Sequence, residues 1–318
     1  LESIARRIAY VSRLQLVFLS ATWIAGIYVN GFVAILPGES TGAIVLDPAV
    51  ETHVILASLS AATSVFILAL AWVSGSRRAA GLSLLASASI VVAGDSGLAF
   101  VLGGGSDSTE SMIMATAFVT ALFLTFLSMA SQTTVDRSSV PVGATSGPKR
   151  PAPLALCSLS LLFFYAVFVS GIYVNLFVAG PVFSLPLGLE AAAFTQAEHS
   201  AAFVTHEALG AALLVILALF SVSLWLSGAR RLSVVSAVPV LLVAYSAYVG
   251  SLNLTSSPVP LTSSTPTAVS VVVTMLSSAG FMAATVITIL IALKVVANGR
   301  QRRLGTSDLA GWFLIWLI

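Results

Sequence analysis

The sequence predicts an all-α integral membrane protein built as duplicated 4+4 transmembrane helix bundles, related by a pseudo-twofold along the membrane normal. Three observations predict it. Of the 318 residues 58% are hydrophobic and only 8% are charged, with a mean hydropathy of +1.04. That is more apolar surface than a water-soluble domain of this length can hide. The apolar residues fall into eight runs of about 20, the length of helix that crosses about 30 Å of hydrocarbon. Finally, the pentapeptide GIYVN occurs at 26–30 and again at 171–175, an offset of 145.

The predicted spans are 15–36, 53–73, 79–101, 112–132, 154–178, 201–226, 232–250 and 269–293. They are read as helices because a backbone in lipid must satisfy its own hydrogen bonds, which an open sheet edge cannot do. Span 1 follows Arg6, Arg7 and Arg13, and Arg77–Arg78 separate spans 2 and 3. Arg137, Lys149 and Arg150 lie between spans 4 and 5, and Arg230–Arg231 between 6 and 7. Lys294, Arg300, Arg302 and Arg303 follow span 8, completing all fourteen basic residues. With eight spans these loops share one side, which the positive-inside rule makes cytoplasmic. The other side has Glu39, Asp47, Glu51, Asp107, Glu110, Glu190 and Glu198 and no Lys or Arg. The expectation is a multi-pass plasma-membrane protein with the bilayer as its main partner and no nucleic acid. Asn253-Leu254-Thr255 reads as an N-glycan acceptor in an outer Ser/Thr/Pro-rich loop. The lone Cys157 excludes an internal disulfide and a cysteine metal cage.

The duplication extends well beyond GIYVN. Trp72-Val73-Ser74-Gly75-Ser76-Arg77-Arg78 matches Trp225-Leu226-Ser227-Gly228-Ala229-Arg230-Arg231 at an offset of 153, which also carries Thr52-His53 onto Thr205-His206. Met112 and Phe118 fall on Met275 and Phe281 at an offset of 163. The growing offset means longer loops in the second half. The expected domains are a first bundle at 1–132, a cytoplasmic linker at 133–153 and a second bundle at 154–304. Residues 305–318 form an amphipathic or apolar tail, or the start of a ninth span.

Two of three histidines, His53 and His206, thus occupy equivalent places near the outer start of a span. Met112 and Met275 stand at similar depth on the last helix of each half. An imidazole opposite a thioether is an axial pair for haem iron, and helix bundles build such sites from facing side chains. The same histidines also read as interfacial polar residues, and the methionines as gap fillers in a core. Small residues beside the histidines (Ala57, Ser58, Ser60 and Ala61; Ala208, Gly210, Ala211 and Ala212) would let a flat macrocycle approach, with Phe118 and Phe281 as walls. Tyr28, Asn30, Tyr173 and Asn175 of the GIYVN copies are candidate propionate contacts, or a plain helix end with interfacial Tyr and capping Asn.

This layout resembles haem A synthase, a membrane family of two four-helix halves that present histidines on their second and fourth helices. His53 and His206 match the second-helix histidines, while Met112 and Met275 stand where the fourth-helix ones would be. The family's outer-loop cysteine pair is missing from 37–50, and Val50 replaces its catalytic acid. Without those parts, the chain more specifically resembles the hydrophobic membrane subunit of the archaeal cytochrome b558/566 complex. The resemblance implies a di-haem b-type cytochrome subunit of a respiratory chain, with two haems held as metal sites by His53, Met112, His206 and Met275. It implies an extracellular redox partner, a cytochrome or Rieske protein, and leaves room for quinone. The implied role is an electron-transfer subunit more than a stand-alone enzyme, with no catalytic residue. The alternatives are a divergent haem A synthase that oxidises a haem methyl group, and a cofactor-free transporter or assembly subunit. Asp95 reads as a proton relay or quinone contact, or as a wetted helix end; His199 as a surface or propionate contact before a ligand; and Glu207 as facing the bundle or the headgroups.

Overall fold

The computed structural model describes residues 2–29, 47–102, 108–132, 152–179, 200–255 and 268–301. They form α1 (Glu2–Tyr28), α2 (Pro48–Val73), α3 (Arg77–Leu102), α4 (Ser108–Gln132), α5 (Ala152–Tyr173), α6 (Ala201–Leu226), α7 (Arg230–Thr255) and α8 (Ala268–Gln301). All eight are long and apolar enough to cross a membrane, and no strand occurs among the described residues. Asn30, His199, residues 133–151 of the linker and the tail expected at 305–318 lie outside them.

Two differences from the predicted spans have a common cause. Helix α1 starts at Glu2 instead of residue 15, and α8 continues to Gln301 instead of stopping at 293. Hydropathy marks where lipid ends, but a helix continues into water as long as its hydrogen bonds do. Arg6, Arg7 and Arg13 are therefore wound into α1, where long basic side chains can reach outward from a helical backbone. Asn253, expected in a loop, stands in the last turn of α7.

The repeat is built into the helix ends. Asp47 caps α2 by accepting the Ala49 amide at 2.7 Å, ahead of Pro48 in the first turn. Ser200 caps α6 by accepting the Phe203 amide at 3.3 Å, and it stands 153 residues after Asp47. At the far ends Gly75 and Gly228 take φ of +74° and +84°, the left-handed conformation that stops a helix and suits only glycine. Their amides donate to the Trp72 and Trp225 carbonyls, each at 3.0 Å. Arg77 and Arg230 then begin the next helices, with the Arg230 guanidinium 5.5 Å above the Trp225 ring.

Each half closes into a ring of four. Helix α1 packs on α2, α2 on α3, α3 on α4, and α4 back on α1; α5 to α8 repeat the pattern. The halves meet where α1 touches α8 and α4 touches α5, with α4 also against α8. Exchanging α1 with α5 and α4 with α8 maps these contacts onto one another, as a pseudo-twofold requires. Even helix numbers point both halves the same way, which puts the axis along the membrane normal. Arg77, Arg78, Arg230 and Arg231 start α3 and α7 at one end, and both histidines stand near the starts of α2 and α6 at the other.

Aromatic rings fill the joint. Trp23 stacks on Phe118 at 6.0 Å and meets Phe168 edge-on at 5.5 Å, while Phe281 meets Phe168 at 4.7 Å and Phe164 at 5.2 Å. Trp23 and Phe168 are repeat partners, as are Phe118 and Phe281, so the twofold gathers related rings at its axis. Such pairs each contribute about 0.5–1.5 kcal/mol beyond area burial. Within bundles, hydroxyls bridge helices: Ser83 to Ser128 at 2.8 Å, Ser64 to Ser87 at 2.8 Å, and Ser246 and Ser277 each to the other's carbonyl at 2.9 Å.

Gly75→Ala and Gly228→Ala should each destabilise the protein by about 1–2 kcal/mol, because a Cβ is strained at positive φ. The two turns belong to different halves, so the double variant should be additive. Unfolding in mixed micelles checks this, and unchanged midpoints would refute the assigned turn geometry.

Candidate functional site

His53 and His206 are each the sixth residue of their helix, α2 and α6. Each imidazole leans on the first helix of its own half, and the glycine that opens GIYVN makes room for it. A Cβ on Gly26 would stand 2.9 Å from His53 Cε1 and 3.4 Å from Nδ1. A Cβ on Gly171 would stand 2.9 Å from His206 Cε1 and 3.5 Å from Nδ1. Real Cβ atoms do not approach that closely, so glycine is what seats the ring. The repeated pentapeptide and the repeated histidine are two parts of one contact.

Hydrogen bonding then sets the tautomer. His53 Nδ1 lies 3.1 Å from the Thr22 carbonyl oxygen, which can only accept. Nδ1 must carry the proton, leaving the Nε2 lone pair for another partner. His206 Nδ1 lies 2.9 Å from Ser170 Oγ, whose hydroxyl lies 3.2 Å from the Val167 carbonyl. A hydroxyl donating to that carbonyl accepts from Nδ1–H and gives the same tautomer. Val167 is the repeat partner of Thr22, so both rings are tied to the same carbonyl, directly in one half and through Ser170 in the other. Holding Nδ1–H so that Nε2 is free is how proteins orient a metal-binding histidine.

Met112 and Met275 lie within about two turns of the start of α4 and α8 and are half-buried. The rings of four put α2 opposite α4 and α6 opposite α8, so each histidine and its methionine stand on diagonal helices at the same end. Phe118 and Phe281 sit in the aromatic joint between the halves. Among the small residues, Ser60 is taken up by Thr22, its hydroxyl 3.3 Å away. Gly210, one turn along α6 from His206, has open space where a Cβ would stand.

Tyr28, Tyr173 and Asn175 are exposed. Asn175 caps nothing: α5 passes into a π-helical stretch, Val174–Ala179, that contains it. π-winding inside a helix is frequently found at functional sites. Asp95 and Glu207 are exposed as well. Sequence reasoning missed Gly26, Gly171, Thr22 and Ser170. The signal for the glycines was present in GIYVN, whereas Ser170 has Ala25 as its repeat partner and nothing marked it.

The chain matches no family model and none of the curated proteins. Its site must be judged on its own chemistry. No group of three or more His, Cys, Asp or Glu gathers among the described residues. One imidazole and one thioether per half are too few to enclose a bare ion. A porphyrin brings four nitrogens of its own and needs only axial ligands.

Gly26→Ala and Gly171→Ala should each cost about 1–3 kcal/mol from overpacking. Adding His53→Ala or His206→Ala in the same half should recover most of that loss, and adding the histidine change in the other half should recover none. Double-mutant cycles on unfolding free energy check this. Coupling that is equal within and between halves would disprove the contact.

Proposed function

We propose that this chain is a di-haem b-type membrane cytochrome subunit that passes electrons near one face of a respiratory membrane. The observation that carries the reading is the pair of seated histidines, each with Nδ1 tied back and Nε2 left to ligate. His53 and Met112 would hold one haem, His206 and Met275 the other. Each haem supplies a one-electron iron couple, and a thioether ligand raises its potential.

The protein's own contribution is to fix the imidazoles on a rigid helix pair and keep both sites at the same end of the bundle. With the basic end cytoplasmic, as the positive-inside rule has it, both sites face outward. That favours lateral transfer or exchange with an extracellular cytochrome or Rieske partner, with quinol as a possible donor, over transfer across the bilayer. Tyr173 and Asn175, exposed at that end, would offer donors to carboxylates of the cofactor.

Pyridine haemochrome analysis of the purified chain should give two b-type haems per polypeptide. His53→Ala and His206→Ala should each remove one, and the double variant both. Met112→Ala and Met275→Ala should lower the midpoint potential of one haem each. A haem-free preparation that takes up no added haem, or methionine variants with unmoved potentials, would end this assignment.

A further inference from the structure

Helix α3 carries a charge on the face it turns to lipid. It stands away from the joint, which α1, α4, α5 and α8 form. On its outward side Leu84, Ala88, Val91, Asp95, Leu98 and Leu102 recur at steps of four and three, and all six are exposed. The aliphatic members are bare: Val91 is 68% exposed, Leu98 59% and Leu102 70%. The Asp95 carboxylate in their midst makes no hydrogen bond or ion pair among the described residues.

Depth makes this costly. From Arg77, where α3 begins, to Asp95 the helix rises about 27 Å at 1.5 Å per residue. The hydrocarbon is about 30 Å thick, and α3 continues through Leu98 to Leu102. With Arg77 at one boundary, the acid lies beneath the other. A lysine or arginine there could stretch to water, but a carboxylate on a single methylene has no such reach. Ionisable groups at such depth pair with a partner. The second bundle poses no such problem: the repeat partner of Asp95 is Tyr248, a residue type at home at the headgroup boundary.

The spacing and the charge together define the missing partner. Contacts at alternating steps of three and four are those of two helices crossing at a shallow left-handed angle, and one polar residue in such a seam sets its register. The small side chain of Ala88 admits a close backbone. A second copy of this chain does not supply the counter-charge. All fourteen Lys and Arg flank the opposite ends of the spans, so two copies inserted the same way would set Asp95 against Asp95.

We propose that the outward face of α3 docks a membrane-spanning helix of another protein, whose Lys or Arg on the histidine side of the bilayer pairs with Asp95. The contact uses neither histidine and goes beyond the electron-carrier reading, so it stands or falls apart from haem binding.

Photocrosslinking of the full chain in phosphatidylcholine nanodiscs tests this. Benzoylphenylalanine replaces Val92, beside the stripe, or Tyr245, its repeat partner on α7; both positions are exposed. The probes are Leu/Ala peptides of about 24 residues, long enough to span, with either Lys or Leu about six residues from one end. At position 92 the Lys peptide should crosslink about threefold or more above the Leu peptide. Asp95→Leu should abolish that preference, Asp95→Lys should transfer it to an Asp peptide, and position 245 should show none. Equal yields from the Lys and Leu peptides at position 92, or a preference that survives Asp95→Leu, would overturn the pairing. Crosslinks from position 92 to a second copy of the chain would overturn the assignment to a different protein.

Discussion

Inside hydrocarbon a backbone amide has no water to turn to, so each crossing segment must close its own hydrogen bonds. That constraint makes every crossing a helix and moves the informative chemistry to side chains between helices. Lipid tails are as apolar as leucine, so hydrophobicity alone cannot tell α1 where α2 belongs. Close approach, hydroxyl bridges and ring stacking do that work. Gly26 under His53, Ser83 against Ser128 and Trp23 between Phe118 and Phe168 are three instances. Because the glycine seat recurs in both halves and the rings meet at the axis between them, the twofold is carried by specific atoms and not only by a shared outline.

Duplication gives the bundle two copies of a histidine seat, and later divergence shows which parts the fold itself requires. Capping at residues 47 and 200, left-handed glycines at 75 and 228, and glycine under each imidazole are present in both copies. These are backbone requirements: an orphan amide to satisfy, a turn to stop, a ring to admit. Thr22, Ser60 and Thr63 of the α1–α2 seam become Val167, Leu213 and Ile216 in the second copy, so packing does not demand their hydroxyls.

The eight helices and the repeat were legible in the sequence because both are written in blocks. Twenty apolar residues between basic anchors define a helix whatever its neighbours are, and Trp-x-Ser-Gly-x-Arg-Arg marks the same turn twice. Helix ends were less legible: Arg6, Arg7 and Arg13 are polar yet helical, since hydropathy reports solvent and not hydrogen bonding. Lateral partners were least legible. An α-helix that is apolar all round has no face that identifies its neighbour, so nothing in the sequence marked Phe118 and Phe281 as partners of Trp23 and Phe168 in the joint between halves. The histidines could be singled out by their offset. That Gly26 and Gly171 touch them could not, because the contact crosses between helices whose rotation the sequence leaves open.

The carbonyls of residues 22 and 167 tie each imidazole to the first helix of its half. In the first half Thr22 does two jobs with two oxygens: its carbonyl fixes the imidazole and its hydroxyl meets Ser60. In the second half Val167 keeps the carbonyl and loses the hydroxyl, and Ser170 is inserted between carbonyl and ring. A backbone carbonyl is a fixed acceptor, whereas a serine hydroxyl can rotate and change which proton it shares. The two imidazoles are thus equivalent as donors at Nε2 and unequal behind it, and outer hydrogen bonds of this kind tune the basicity of a ligand. Under the proposed di-haem reading, two sites with the same ligands would therefore differ in potential through atoms that never touch the iron, giving electrons a preferred direction between them.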